Sequence, residues 1–170
     1  MLKSVSGVLR GVACALALAA MAGPAFAKTY VFKRTGRDTP IVMPDNWAVQ
    51  TIPRGIQIRS NDEEVYMWIE AVTEGSLEEA MDEYMEYFKK EGVTFTGAPT
   101  QSKSSIAGTP VLFIDFPAAY KGKPNLVRML VSDAKAGEAK GMLVGYWASP
   151  EGDKKYEQPV GRIVEELMRP

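Results

Sequence analysis

Three segments, Val65 to Val72, Val111 to Phe116 and Met142 to Trp147, are apolar at nearly every position, and nothing else in the chain restricts its fold as tightly. An extended chain sends alternate side chains to opposite faces, so an unbroken apolar run predicts a strand that needs cover on both sides. Leu126 to Val131 resembles these runs apart from Arg128. Ile56 and Ile58 instead alternate with Gln57 and Arg59, the pattern of a strand with one wet face. Turn sequences lie between the runs: Ser60-Asn61-Asp62, Gly97-Ala98-Pro99, Lys121-Gly122-Lys123-Pro124 and Ala136-Gly137-Glu138. Strands joined so briefly favour antiparallel hairpins.

Two segments carry helical periodicity. Leu77, Ala80, Met81, Tyr84, Tyr87 and Phe88 recur at three- and four-residue spacing. Ser76 is the expected cap, with Glu79 completing a capping box and Gly92 as the stop. Val160, Ile163, Val164, Leu167 and Met168 repeat the pattern near the C-terminus. That helix starts either with Asp153 as its cap or with Pro159 at its first position. The simplest assembly is one α+β domain, from about Lys28 to Pro170. It is a single mainly antiparallel sheet with the mid-chain helix and the C-terminal helix packed on it.

The first 27 residues read as a bacterial Sec-type secretory signal peptide. Lys3 and Arg10 supply positive charge, Gly11 to Met21 is apolar, and Ala25-Phe26-Ala27 offers small residues for cleavage after Ala27. The apolar run is shorter than the ~20 residues that span a bilayer, so no stable membrane span remains after removal. The expected location is the periplasm. Cys14, the chain's one cysteine, lies inside the signal, so the mature chain has neither disulfides nor thiol chemistry.

The mature chain keeps 18 of the 20 basic residues against 21 acidic ones, a net charge of about −3, so nucleic acid is not an expected partner. The chain has no histidine, which removes the commonest general base and the usual zinc ligand. The acidic turns Asn61-Asp62-Glu63-Glu64 and Glu151-Gly152-Asp153 lack the alternating oxygen ligands of a calcium loop. No metal or cofactor is expected.

Charges within apolar strands are the first candidate site residues, because an unpaired buried charge is costly. Glu70, Asp115 and Arg128 are the three. They form a structural ion cluster if Arg128 lies between the acids, or an acid/base pair or ligand anchor if the acids face one cleft. Among the aromatic residues, Trp68, Tyr120 and Trp147 are candidates for a ligand groove or partner surface, although core packing is the ordinary use of such rings. Tyr146 and Trp147 must point to opposite faces of a regular strand. The segment Phe116 to Lys123, with Tyr120, Lys121 and Lys123, is the best candidate binding loop.

Pro44-Asp45-Asn46-Trp47 opening an early hairpin, a long helix after Glu70-Ala71-Val72, and Gly145-Tyr146-Trp147 before the last helix resemble the PsbP-like or DcrB-like group of exported domains. The resemblance implies an accessory role without catalysis and assigns no functional residue. The expected function is a non-catalytic periplasmic accessory or binding domain for an envelope protein or a small ligand. The alternatives are a hydrolase using Glu70 and Asp115 on a glycan, which requires the two carboxyls about 5–10 Å apart across one cleft, and a structural subunit of an envelope complex.

Overall fold

The computed structural model describes residues 27–34, 37–132 and 141–169. The signal peptide up to residue 26 and the turn at 136–138 lie outside them. Ten strands and two helices follow in order: β1 (Ala27–Arg34), β2 (Arg37–Pro44), β3 (Ala48–Ile52), β4 (Gly55–Arg59), β5 (Val65–Val72), α1 (Glu74–Lys90), β6 (Val93–Phe95), β7 (Thr100–Ile106), β8 (Thr109–Tyr120), β9 (Lys123–Ser132), β10 (Gly141–Ala148) and α2 (Pro150–Met168). The fold class is α+β, as expected.

The main sheet runs β3-β4-β5-β10-β9-β8, with β6 and β7 sharing the outer edge of β8; β1 and β2 form a separate hairpin. Every pairing is antiparallel. The apolar runs are its inner strands, and both their faces are covered. On one face, Ala80, Tyr84 and Phe88 of α1 meet Trp68, Leu143 and Trp147. On the other, Ile163, Leu167 and Met168 of α2 join Phe32, Ile41 and Met43 of the β1–β2 hairpin over Met67, Leu130 and Val144. Tyr146 and Trp147 point to opposite faces.

Both helices begin earlier than their apolar stripes suggest. Thr73, not Ser76, is the N-cap of α1; its backbone N–H donates to the Ser76 hydroxyl at 2.9 Å. Ser76 thus takes the third helical position, returning the bond that Glu or Gln usually supplies in a capping box. Ser149 caps α2, its hydroxyl accepting from the Gly152 N–H at 2.9 Å, and Pro150 occupies the first turn. Asp153 and Pro159 are therefore inside the helix. Proline is well placed at the first position, where its missing N–H costs nothing. Pro159, deeper in, cannot donate to the Lys155 carbonyl.

The expected binding loop is mostly strand. β8 runs through Tyr120, β9 starts at Lys123, and Lys121-Gly122 alone make the turn, with φ of +50° and +74°. Two consecutive positive φ values are those of a tight hairpin turn whose twist matches its strands. Pro117 fits within β8 because its outward backbone position falls between β6 and β7. Only its carbonyl is used there, accepting from the Thr96 N–H at 2.8 Å.

Candidate functional site

The β8–β9 hairpin tip, the start of β5, the end of β10 and the first turn of α2 meet at one end of the sheet. They enclose a groove of about 360 Å³, within the usual range for ligand sites. Its floor is aromatic. Tyr66 and Trp147 are directly paired across β5 and β10, so their side chains share a face and stack with centroids 5.3 Å apart and planes 28° apart. Tyr120 meets Trp147 edge-on at 5.0 Å. Trp147 is buried and its indole N–H has no hydrogen-bond partner among the described residues. Tyr66 is half-buried, and burial pushes its hydroxyl above the ordinary range against the opposing bond from Arg59, so it stays a neutral donor at physiological pH.

The walls carry opposite charge. Lys121 and Lys123 rise from the hairpin tip, and the Lys121 ammonium lies 4.8 Å from the Tyr120 ring centre. Facing them are Glu63, Glu64 and Glu151. Glu63 is paired with Arg59 at 2.9 Å. Glu64 accepts from the Ser149 hydroxyl, and its carbonyl accepts from the Ser149 N–H at 3.2 Å. Gly152 lets the first turn of α2 press against this strand, since a Cβ there would stand 2.5 Å from the Glu64 carbonyl oxygen. Glu63 and Glu64 are therefore held by partners, whereas the lysines extend from a two-residue turn.

Four of the residues expected from sequence, Tyr120, Lys121, Lys123 and Trp147, thus line one groove. Trp68 does not join them. It lies beneath α1, its ring 5.4 Å from Tyr87 and 5.7 Å from both Tyr84 and Phe88, and it reaches the groove only through the back of Tyr66. Tyr66 itself went unrecognised in the sequence, because it lies within an apolar run and only the register opposite Trp147 brings it to the site.

Glu70, Asp115 and Arg128 do not form one cluster. Arg128 grips Asp115 with two bonds, Nε–Oδ1 at 2.5 Å and Nη2–Oδ2 at 2.9 Å, on the α2 face. Glu70 is buried on the α1 face, accepting from Arg54 Nε at 2.6 Å and the Tyr84 hydroxyl at 2.8 Å, while Arg54 continues to Glu83. The two acids therefore stand on opposite sides of the sheet, and the one-cleft geometry required for glycan hydrolysis is absent. Odd against even numbering held this answer: with an unbroken alternation and the β8–β9–β10–β5 pairing, Asp115 faces Arg128 directly and Glu70 falls on the other side. Arg54 carried no signal, being one residue of an ordinary turn. Among the described residues, no group of three acidic side chains is placed to hold a metal ion.

No family model and no curated protein sequence matches the chain. The fold is similar to the solution structure of cyanobacterial PsbP (CyanoP) from Synechocystis sp. PCC 6803, with a TM-score of 0.56 and 8% identity over 94% of this chain and 96% of that one. The crystal structure of PA94, a protein of unknown function from Pseudomonas aeruginosa, is similar at a TM-score of 0.39 and 11% identity, covering 81% of this chain and 94% of that one. The chain has a PsbP-like fold, as its order of elements implied.

Proposed function

We infer that the chain is a non-catalytic, exported accessory domain that recognises an exposed segment of a partner protein in the groove floored by Tyr66, Tyr120 and Trp147. The observation that carries this reading is the convergence of an aromatic floor with lysines on one wall and carboxylates on the other. Aromatic rings supply contact area at little entropic cost, and mixed rim charges favour a partner with complementary charges. The PsbP-like fold supports an accessory role. The glycan hydrolase alternative loses its support with Glu70 and Asp115 on opposite faces. The structural-subunit alternative calls for a broad apolar patch, and the large apolar side chains most exposed among the described residues are Val31 and Val42 alone.

Export belongs to the same reading. The β1–β2 register begins with Ala27 opposite Pro44 and Lys28 opposite Met43, so cleavage after Ala27 sacrifices a single pair of the hairpin. Intact-mass measurement of periplasmic material should find a chain starting at Lys28; retention of residues 1–27 would contradict it.

The partner is tested by reversing the exposed charges. Capture from periplasmic extract with the wild-type chain should recover a partner that the double variant K121E/K123E fails to retain, while both proteins melt within about 1 °C of each other, as surface changes away from packed features do. Equal recovery by the two would eliminate the groove as the binding surface.

A further inference from the structure

A second cavity, of about 250 Å³, lies between α2 and the opposite face of the sheet. Met67, Phe113, Leu130 and Val144 form its floor, and Val160 and Val164 of α2 its roof. Cores are packed to crystal-like density, so an opening of this size between a helix and its sheet is a departure. Gly161 sharpens it. This glycine lies inside α2 and lines the cavity, yet a Cβ built on it would meet nothing within 4 Å. Glycine inside a helix costs stability relative to alanine, and no close neighbour here requires it. Exposed at the rim, it leaves the mouth of the opening uncovered.

The polar residues around the opening fix the kind of occupant. Arg128 is neutralised by its paired bonds to Asp115. Asp153 accepts one bond, from the Tyr146 hydroxyl at 2.9 Å. Glu157 is exposed and has neither an ion pair nor a hydrogen bond among the described residues. The lining therefore carries a net negative charge beside an apolar interior, with a carboxylate unmatched.

We propose that this cavity binds a small apolar molecule bearing a cationic amine, its hydrocarbon body among Phe113, Leu130 and Val160 and its ammonium beside Glu157 and Asp153. A volume of this size, just under the usual range of ligand sites, holds a body of roughly ten heavy atoms. The site is separate from the aromatic groove and does not depend on what the groove binds.

The test uses the mature chain and three probes of matched shape: phenylbutylamine, phenylbutyrate and butylbenzene, titrated calorimetrically or by NMR. The amine should bind at least about tenfold more tightly than the acid, a ratio of the size one charge interaction supplies. Butylbenzene should fall between them. E157Q should weaken the amine several-fold and leave butylbenzene unchanged, and G161L, which fills the opening, should abolish all three. K121E/K123E should alter none of them. The acid binding as tightly as the amine, no amine binding at millimolar concentration, or undiminished binding to a folded G161L would each overturn the proposal. Should G161L fail to fold, E157Q decides: an unchanged preference for the amine would overturn it as well.

Discussion

Glu70 is 3% exposed and held by two donors, so its worth is measurable one bond at a time. Burial first, and then the Glu70 charge, push the Tyr84 phenol far above its ordinary range, which leaves it a neutral donor at physiological pH. Y84F removes one bond to a charged acceptor and should cost about 1.5–3 kcal/mol in denaturant unfolding. E70L strands the buried phenol and leaves Arg54 with Glu83 as its one carboxylate partner, and should cost more than Y84F, about 3 kcal/mol or above. The two should be strongly non-additive in combination, because they share one network; additive losses would mean that Tyr84 and Glu70 stabilise the fold separately. Sequence alone marked Glu70 as a charge needing a reason and offered Arg128 as a conditional partner, whereas the structure supplies Arg54 and Tyr84. A buried acid is conspicuous in an apolar run, whereas a turn residue such as Arg54 looks like any solvated cation.

The two helices are only partly legible in the sequence. Their apolar stripes were visible, because Tyr84, Phe88, Ile163 and Leu167 repeat at the spacing of one buried face. Their first turns were not, because Glu74-Gly75 and Pro150-Glu151 add no apolar residue to the repeat and those ends are set by the hydroxyl residues Thr73, Ser76 and Ser149 instead. Pro159 sits well inside α2, and relieving it should stabilise the helix: P159A is expected to gain up to about 3 kcal/mol, read as a higher Tm. A fall in Tm would show that α2 packs only with its hydrogen-bond ladder interrupted at that point.

The start of α2 is also tied to the β4–β5 turn by an acid-sensitive link. Asp62 accepts from Ser60 Oγ at 2.8 Å, Lys155 Nζ at 2.6 Å and the Tyr156 hydroxyl at 2.9 Å. Burial acts upward on this carboxyl, but the bonds from Lys155, Ser60 and Tyr156 outweigh it and hold the group well below its ordinary value of 3.8. A depressed folded-state value means that the link stabilises the fold above about pH 4 and is lost as pH falls below it. D62N should therefore melt below wild type at pH 7, with the gap closing under acid. A gap that is constant from pH 7 to pH 3 would exclude Asp62 ionisation as its source.

At the scale of the whole molecule, the composition of the strands carried the architecture. Apolar residues on both faces of Val65–Val72 and Met142–Trp147 demanded two covering layers, and the helices with the β1–β2 hairpin provide them. The strand order was out of reach, because hairpins fix only sequential neighbours while β5 and β10 join across about half of the chain. That junction has a kinetic meaning. Two locally connected half-sheets, β3–β5 and β8–β10, are united only when residues 65–72 zip onto residues 141–148. Closing so long a span is entropically slow, so refolding in the millisecond-to-second range is expected in stopped-flow mixing. A nascent chain still lacking Gly141 exposes one flank of β5 with nothing to zip against, and cannot lock into a finished sheet. Synthesis order thus delays completion of the sheet until β10 has been made.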